Sequence, residues 1–379
     1  MYDLKIYPTF TAVGIKDRVA FLSTDGSLLH EILISQQVPA EPDKTKEGEN
    51  GNAPQLAHVV TLEYCLASKV FTISLSDKSL QSYQLKEAEG HLSSEKVGDR
   101  VPTTRTIVCM KFASKHGVLF GCDKSDCFEF DPVGKSDKRS KWILGHMSQI
   151  LDLGVSADER YIITCDRDEK IKVTSYPDCH NIVCYCFGHQ EYVAGMELLS
   201  PSMLLSVSGD NTLRLWDYSE GKEIASYALE DPAVGVTCQR LNEGSGALCA
   251  VRSYVNNKIE VAQIHPDDPL KKCVPCGTIS VNAGSTILNA TLNSACELII
   301  LAIDKESKVV QFMVYAFDSI ARRFQECTDH VLQKNLQSHF RESTIEHVRD
   351  YSTLFKNTID NLSDYFERKK LKISGKKSK

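Results

Sequence analysis

Two Gly-His dipeptides, Gly145-His146 and Gly188-His189, stand 43 residues apart, and each opens the same succession of apolar runs. The first is followed by runs at 150–155 and 161–164, then Asp168, then a run at 171–173. The second is followed by 192–199 and 204–208, then Asp210, then a run from Leu213 that closes on Trp216-Asp217. The runs are strand-length and the residues between them are those of tight turns. A chain of 379 residues has room for two or three ordinary domains, but a recurrence of this kind overrides that prior.

A period of about 40 to 45 residues that opens on Gly-His and closes on Trp-Asp marks WD-repeat propeller blades, each a four-stranded antiparallel sheet. The spacing predicts a buried hydrogen-bond relay in the second copy. His189 on the entry loop, Ser206 or Ser208 on a strand, Asp210 in a turn and Trp216 on the next strand satisfy one another. Each group left buried without a partner would cost about 1 to 3 kcal/mol. In the first copy His146, Thr164 and Asp168 occupy the same places, with Thr174 where Trp216 would be. These residues read as structural, which makes His189 and Asp210 a poor catalytic pair.

Weaker copies flank the strong ones. Residues 10–34 hold two strand-like runs around Ser23-Thr-Asp-Gly26, a hairpin signal. Runs at 58–85 and 104–131 precede the strong copies, and runs at 234–264 and 287–317 follow them, none ending on Trp-Asp. The count is seven blades, an all-β propeller over 1–330. Closure is expected from N-terminal residues, Leu4 to Tyr7 or Ala12 to Ile15, completing the last blade's sheet. Between Gln36 and Gln55 the chain is rich in Pro, Glu, Lys, Gly and Asn. That composition predicts a disordered loop.

From 331 the pattern changes. Val348, Tyr351, Phe355, Ile359, Leu362 and Phe366 recur every three or four residues, the stripe of an amphipathic helix that packs on the rim or receives a partner. Ser343-Thr-Ile-Glu346 fits a capping box, which places the helix start near Thr344. The basic tail that follows, with Lys369, Lys370, Lys372, Lys376 and Lys377, has no acidic residue after Glu367. It reads as a solvated tail, a nuclear signal or an arm that reaches phosphates.

A net charge of −6 argues against a chain that coats nucleic acid by itself, so any basic footprint is local. No window approaches 18 apolar residues and the N-terminus has no leader-like apolar stretch, so an intracellular protein without a membrane span is expected. Fourteen cysteines scattered through strand-like runs read as buried reduced thiols. Cys273 and Cys276 form the one C-x-x-C, with no second pair to complete a zinc site. A Walker loop before Gly134-Lys135-Ser136 would need glycine where Glu129 stands. No G-x-G-x-x-G turn, G-x-S-x-G elbow or H-E-x-x-H is present. A rigid ring presenting loops to partners is expected, not an enzyme acting alone.

One stretch departs from the generic blade. In Cys165-Asp-Arg-Asp-Glu-Lys-Ile-Lys-Val173, charges of both signs crowd a turn that usually holds small residues. With Leu144-Gly-His146, Ile150-Leu-Asp152, Ser208-Gly-Asp210 and Thr212-Leu-Arg-Leu-Trp216, it resembles the non-catalytic WD-repeat subunit of the eukaryotic tRNA (guanine-N7)-methyltransferase. The resemblance is close from Leu144 to Tyr218. It implies a scaffold that binds and stabilises an S-adenosylmethionine-dependent catalytic subunit, which methylates a guanine in the variable loop of tRNA. It implies no cofactor on this chain, a heterodimer, contact with tRNA through the complex, and a location in the nucleus, alone or together with the cytoplasm. Carried over by position, Lys172 and Glu169 are the expected salt-bridge residues, flanked by Arg167 and Lys170. Asp168 is either a further contact or a relay member. The basic lysines of the tail are the expected tRNA contacts. The alternative is a peptide-reading adaptor, such as a ubiquitin ligase substrate receptor or a histone reader, which uses the central face of the ring.

Overall fold

The computed structural model describes residues 2–34, 57–88, 91–134, 139–241, 246–268 and 272–356. Among them are seven four-stranded antiparallel sheets, each built from four consecutive strands. We number these blades 1 to 7; they span 2–33, 59–102, 109–145, 150–186, 193–228, 233–280 and 285–326. The first strand of each blade touches the first strand of the next, and that of blade 7 returns to that of blade 1. The seven-bladed ring is closed around a channel.

Burial along the strands follows their radial position. Tyr161–Asp166 and Met203–Ser208, second in their sheets, are almost wholly buried, whereas the fourth strand Ile182–Cys186 is largely exposed. Second strands bury both faces between neighbouring blades and carry apolar side chains on both. The sequence repeat is out of phase with the sheets. Leu144 and Gly145 belong to the fourth strand of blade 3, Ser140–Gly145, while His146 leads into blade 4.

Closure differs from the expectation. Tyr2–Ile6 is the innermost strand of blade 1 itself, paired with Thr11–Ile15, and blade 7 is completed by its own fourth strand, Arg323–Glu326. The seam is held by side chains instead. Leu4, Val13, Ile15 and Leu22 of blade 1 share a core with Ile299, Leu301, Phe312 and Val314 of blade 7. Leu332 and Leu336 of helix α1 (Val331–His339) and the adjoining Phe340 complete it.

Helix α1 also finishes an open edge. Arg323–Glu326 pairs only with residues 315–318, so the N–H groups of Phe312 and Val314 have no strand opposite. They donate to the side-chain carbonyls of Gln337 at 3.0 Å and Gln333 at 3.1 Å. Unpaired edge groups invite foreign strands, and a covering helix removes that hazard.

Over the described residues 344–356 the helix expected from Thr344 is not formed. Ser343 and Ile345 bond Val310 and Lys308 through their backbones, and Thr344 bridges Val309. Strand-like pairing has taken the groups a helix would need. Residues 346–351 continue without regular structure to a short 3-10 turn, Ser352–Leu354. Ile359, Leu362, Phe366, the basic tail and the 36–55 segment lie outside the described residues.

Candidate partner-binding face

The relay of blade 5 forms with a consistent direction of donation. The indole N–H of Trp216 donates to Ser206 Oγ at 2.8 Å. The Ser206 hydroxyl lies 2.7 Å from His189 Nε2 and donates to it. His189 Nδ1–H then donates to Asp210 Oδ2 at 3.0 Å. Of the two serines considered, Ser206 is the member; Ser208 donates to the Glu191 carbonyl instead. A Cβ at Gly188 would lie 2.6 Å from Arg214 Nη1 and 2.9 Å from Glu223 Oε2, so a side chain there would push this ion pair aside.

Blade 4 builds the same relay from a different carboxylate. Thr164 Oγ1 lies 2.7 Å from His146 Nε2, and His146 Nδ1 lies 2.9 Å from Asp166 Oδ2. Asp168, the residue expected here, points outward with 42% of its side chain exposed. Asp166 ends the strand where blade 5 has Ser208, and its second oxygen accepts the backbone N–H groups of Asp168 and Lys170 at 2.9 and 3.0 Å. One side chain therefore closes the relay and caps the turn. Thr174, in the place of Trp216, has a buried hydroxyl without a hydrogen-bond partner.

Burial pushes both relay histidines below the usual imidazole range, against the pull of their carboxylates. Burial would raise Asp166 and Asp210, but bonds from the histidines, with the Lys170 N–H at Asp166 and the Thr212 hydroxyl at Asp210, outweigh it and lower both. The arrangement is neutral imidazole against carboxylate, a structural pairing with no open position for a substrate.

The charged turn stands on this frame. Arg167 is tied through its N–H to the Gln149 carbonyl at 2.8 Å, and its Nε lies 3.8 Å from Asp168 Oδ1. Glu169 takes the left-handed conformation at φ 66°, the place of Asn211 in blade 5. Arg167, Asp168, Glu169 and Lys170 are all partly exposed, so the structure brings these four together on one face. Lys172 is placed differently from the expected surface contact. It is only 5% exposed, and its ammonium donates to the Gly145 carbonyl at 2.6 Å. Burial lowers its pKa. In the ladders Lys172 lies opposite Thr164 as Arg214 lies opposite Ser206, so Lys172 is the blade 4 counterpart of Arg214, a cation beside the relay.

Sequence reasoning missed the other occupant of this face. The C-terminal segment crosses from blade 6 to blade 4. Tyr351 accepts a hydrogen bond from Arg252 Nη2 at 3.1 Å and meets Tyr254 edge-on. Phe355 meets Tyr192 edge-on at 5.1 Å. Lys356 ends on Glu169, with its ammonium also 3.0 Å from the Gln190 carbonyl. His347, Val348, Arg349 and Tyr351 line the channel mouth together with Tyr2, Val60 and Gln149, above a cavity of about 570 Å³.

The family described as the tRNA methyltransferase TRM82 WD40 domain matches residues 131–334, a stretch that contains the charged turn and both relays. A "tRNA (guanine-N(7)-)-methyltransferase non-catalytic subunit wuho" from Anopheles gambiae is 53% identical over 383 residues, covering 100% of both chains. The protein of the same description from Aedes aegypti is 32% identical, over 98% of this chain and 97% of that one. Its counterpart from Drosophila melanogaster is 31% identical over 80% and 71%. Among solved structures, a chain of a mitotic checkpoint complex superposes with a TM-score of 0.59 at 11% identity, over 77% of this chain and 80% of that one, which shows the fold alone. The chain belongs to the family of WD-repeat, non-catalytic subunits of tRNA (guanine-N7)-methyltransferase.

Proposed function

We propose that the protein is the scaffold that binds the S-adenosylmethionine-dependent methyltransferase subunit through the turn at 167–170 and stabilises it in the form that makes N7-methylguanosine in the tRNA variable loop. The observation that carries this reading is the turn itself: four charged side chains on a backbone pinned by Asp166 and Gln149. Charges held this way meet a partner already arranged, so little ordering entropy is lost on association. Lys172 is spent within the chain, its buried ammonium on the Gly145 carbonyl, while Arg167, Asp168, Glu169 and Lys170 make the contacts. The cofactor belongs to the partner. The lysines at 369, 370, 372, 376 and 377 reach tRNA phosphates in the assembled complex, where each neutralised phosphate releases counterions, and the complex works in the nucleus.

The adaptor alternative needs the central mouth of the ring for a peptide. That mouth is lined by this chain's own His347, Val348, Arg349 and Tyr351, which weighs against it. The test is co-purification with the methyltransferase subunit, followed by assay of guanine-N7 methylation on tRNA. Wild type is expected to bring down the subunit and support methylation, while Glu169→Gln weakens both. A ligase scaffold or histone peptide in place of the methyltransferase would overturn the reading.

A further inference from the structure

Glu169 already has a cation. The segment that delivers Lys356 to it is anchored over three blades, with Tyr351 8% and Leu354 4% exposed in a core shared with Tyr192, Val193 and Val234. The Arg252 and Arg349 guanidinium groups lie 5.6 and 5.1 Å from the centre of the Tyr351 ring. Phe355 sits between Tyr192 and Tyr254 at 5.1 and 6.2 Å. Past these anchors the Lys356 N–H donates to Glu191 Oε2 at 3.2 Å, and its ammonium reaches Glu169 and the Gln190 carbonyl.

We infer that the 351–356 segment is a built-in competitor for the partner face: Lys356 occupies Glu169 in the free subunit and is displaced when a cation of the methyltransferase takes its place. This rests on the reading of Glu169 as a partner contact. The physical case is one of local concentration. Lys356 follows Phe355 directly, so its ammonium is held beside Glu169 at an effective concentration in the millimolar range or above. A partner that needs Glu169 free binds with its intrinsic affinity reduced by the fraction of molecules in which it is free. An exposed ion pair of this kind is broken often, so the reduction is modest, about 2- to 5-fold. The contact also sets a direction of coupling. Binding of the methyltransferase releases Lys356 and loosens the last turn of the segment, and by reciprocity a ligand that holds the segment elsewhere raises affinity for the methyltransferase.

The experiment is calorimetric titration of the full-length chain with the purified methyltransferase subunit. Lys356→Ala and Phe355→Ala, the second leaving every charge in place, are each expected to bind about 2- to 5-fold more tightly than wild type. In a Glu169→Gln background the gain from Lys356→Ala is expected to vanish. Hydrogen exchange at 351–356 should rise when the subunit is added to wild type. Unchanged or weaker binding by both variants overturns the competition. If Glu169→Gln itself leaves affinity unchanged, the partner-face reading falls; if it weakens binding while Lys356→Ala gives no gain, the competition alone falls.

Discussion

His146 and Asp166 face each other at 2.9 Å between Nδ1 and Oδ2, with 2% and 1% of their side chains exposed, while Asp168 two residues later stands in solvent. Removing the inner carboxylate leaves the imidazole and two turn N–H groups without their acceptor. Asp166→Ala is therefore expected to destabilise the ring by about 2 to 4 kcal/mol. Asp168→Ala should change stability by less than about 0.5 kcal/mol. Denaturant unfolding of both variants checks the difference, and equal effects would return the relay role to Asp168.

The relays also set a pH dependence. His146 and His189 are held below the imidazole value of the unfolded chain, about 6.5. The unfolded state therefore binds more protons as pH falls through that value, and stability declines with it. Asp166 and Asp210, lowered relative to the unfolded chain, act in the same sense at lower pH, since their contribution is present above about pH 4 and is lost below it. The melting temperature is expected to fall between pH 7 and 5, and His189→Gln should flatten part of that slope. A profile for His189→Gln parallel to wild type would exclude the relay as its source.

Glu197 in the channel wall works the other way. Burial raises its pKa to about 7, opposed by Lys111 and assisted by Asp152. Because its folded value lies above the unfolded value of about 4.3, ionisation costs stability progressively as pH rises between the two and fully above 7. Glu197→Gln is expected to stabilise the protein at pH 8 by about 1 to 3 kcal/mol and to do little at pH 4. Thermal unfolding at the two pH values decides it, and a loss at pH 8 would mean that the Lys111 pairing outweighs burial.

The parts of the fold carried by local pattern were legible: the Gly-His pairs located two blades, and alternation with turn residues located the others. The carboxylate of blade 4 was not legible: alignment with Asp210 points to Asp168, and only the folded strand shows that Asp166 is the one that faces His146. Lys172 looked exposed because lysine usually is. Its burial follows from its place opposite Thr164, a pairing that depends on the ladder and not on its neighbours in sequence. Tyr351 and Phe355, four apart, gave a helical signal. They are instead two anchors in adjoining aromatic pockets that share Tyr254, the first completed by Arg252 and the second by Tyr192. Those pockets come from residues about 100 or more positions away, which no local periodicity encodes.

Lys172 and Glu169 lie three residues apart, yet their reversal should have different consequences. Lys172 is nearly enclosed, with its ammonium on the Gly145 carbonyl and the Asp166 carboxylate among the charges that act on it. A glutamate there turns an attraction into repulsion by both oxygens in a place where water cannot screen it. Lys172→Glu is therefore expected to cost about 3 to 5 kcal/mol of stability. Glu169 is partly exposed, and its partner within the chain is a lysine ammonium that is itself partly exposed, so Glu169→Lys should leave unfolding within about 1 kcal/mol of wild type. At the partner face the order reverses. If Glu169 meets a cation of the methyltransferase, as proposed above, Glu169→Lys puts a like charge there and should abolish co-purification of a folded protein, with partial rescue by a matching reversal on the partner. Lys172→Glu should lose the partner only to the extent that it unfolds, so lowering the temperature should restore binding. Circular dichroism melts paired with pull-downs at 10 and 30 °C separate the two. If Lys172→Glu proves as stable as wild type and still loses the methyltransferase, Lys172 is itself a contact that leaves Gly145 on binding.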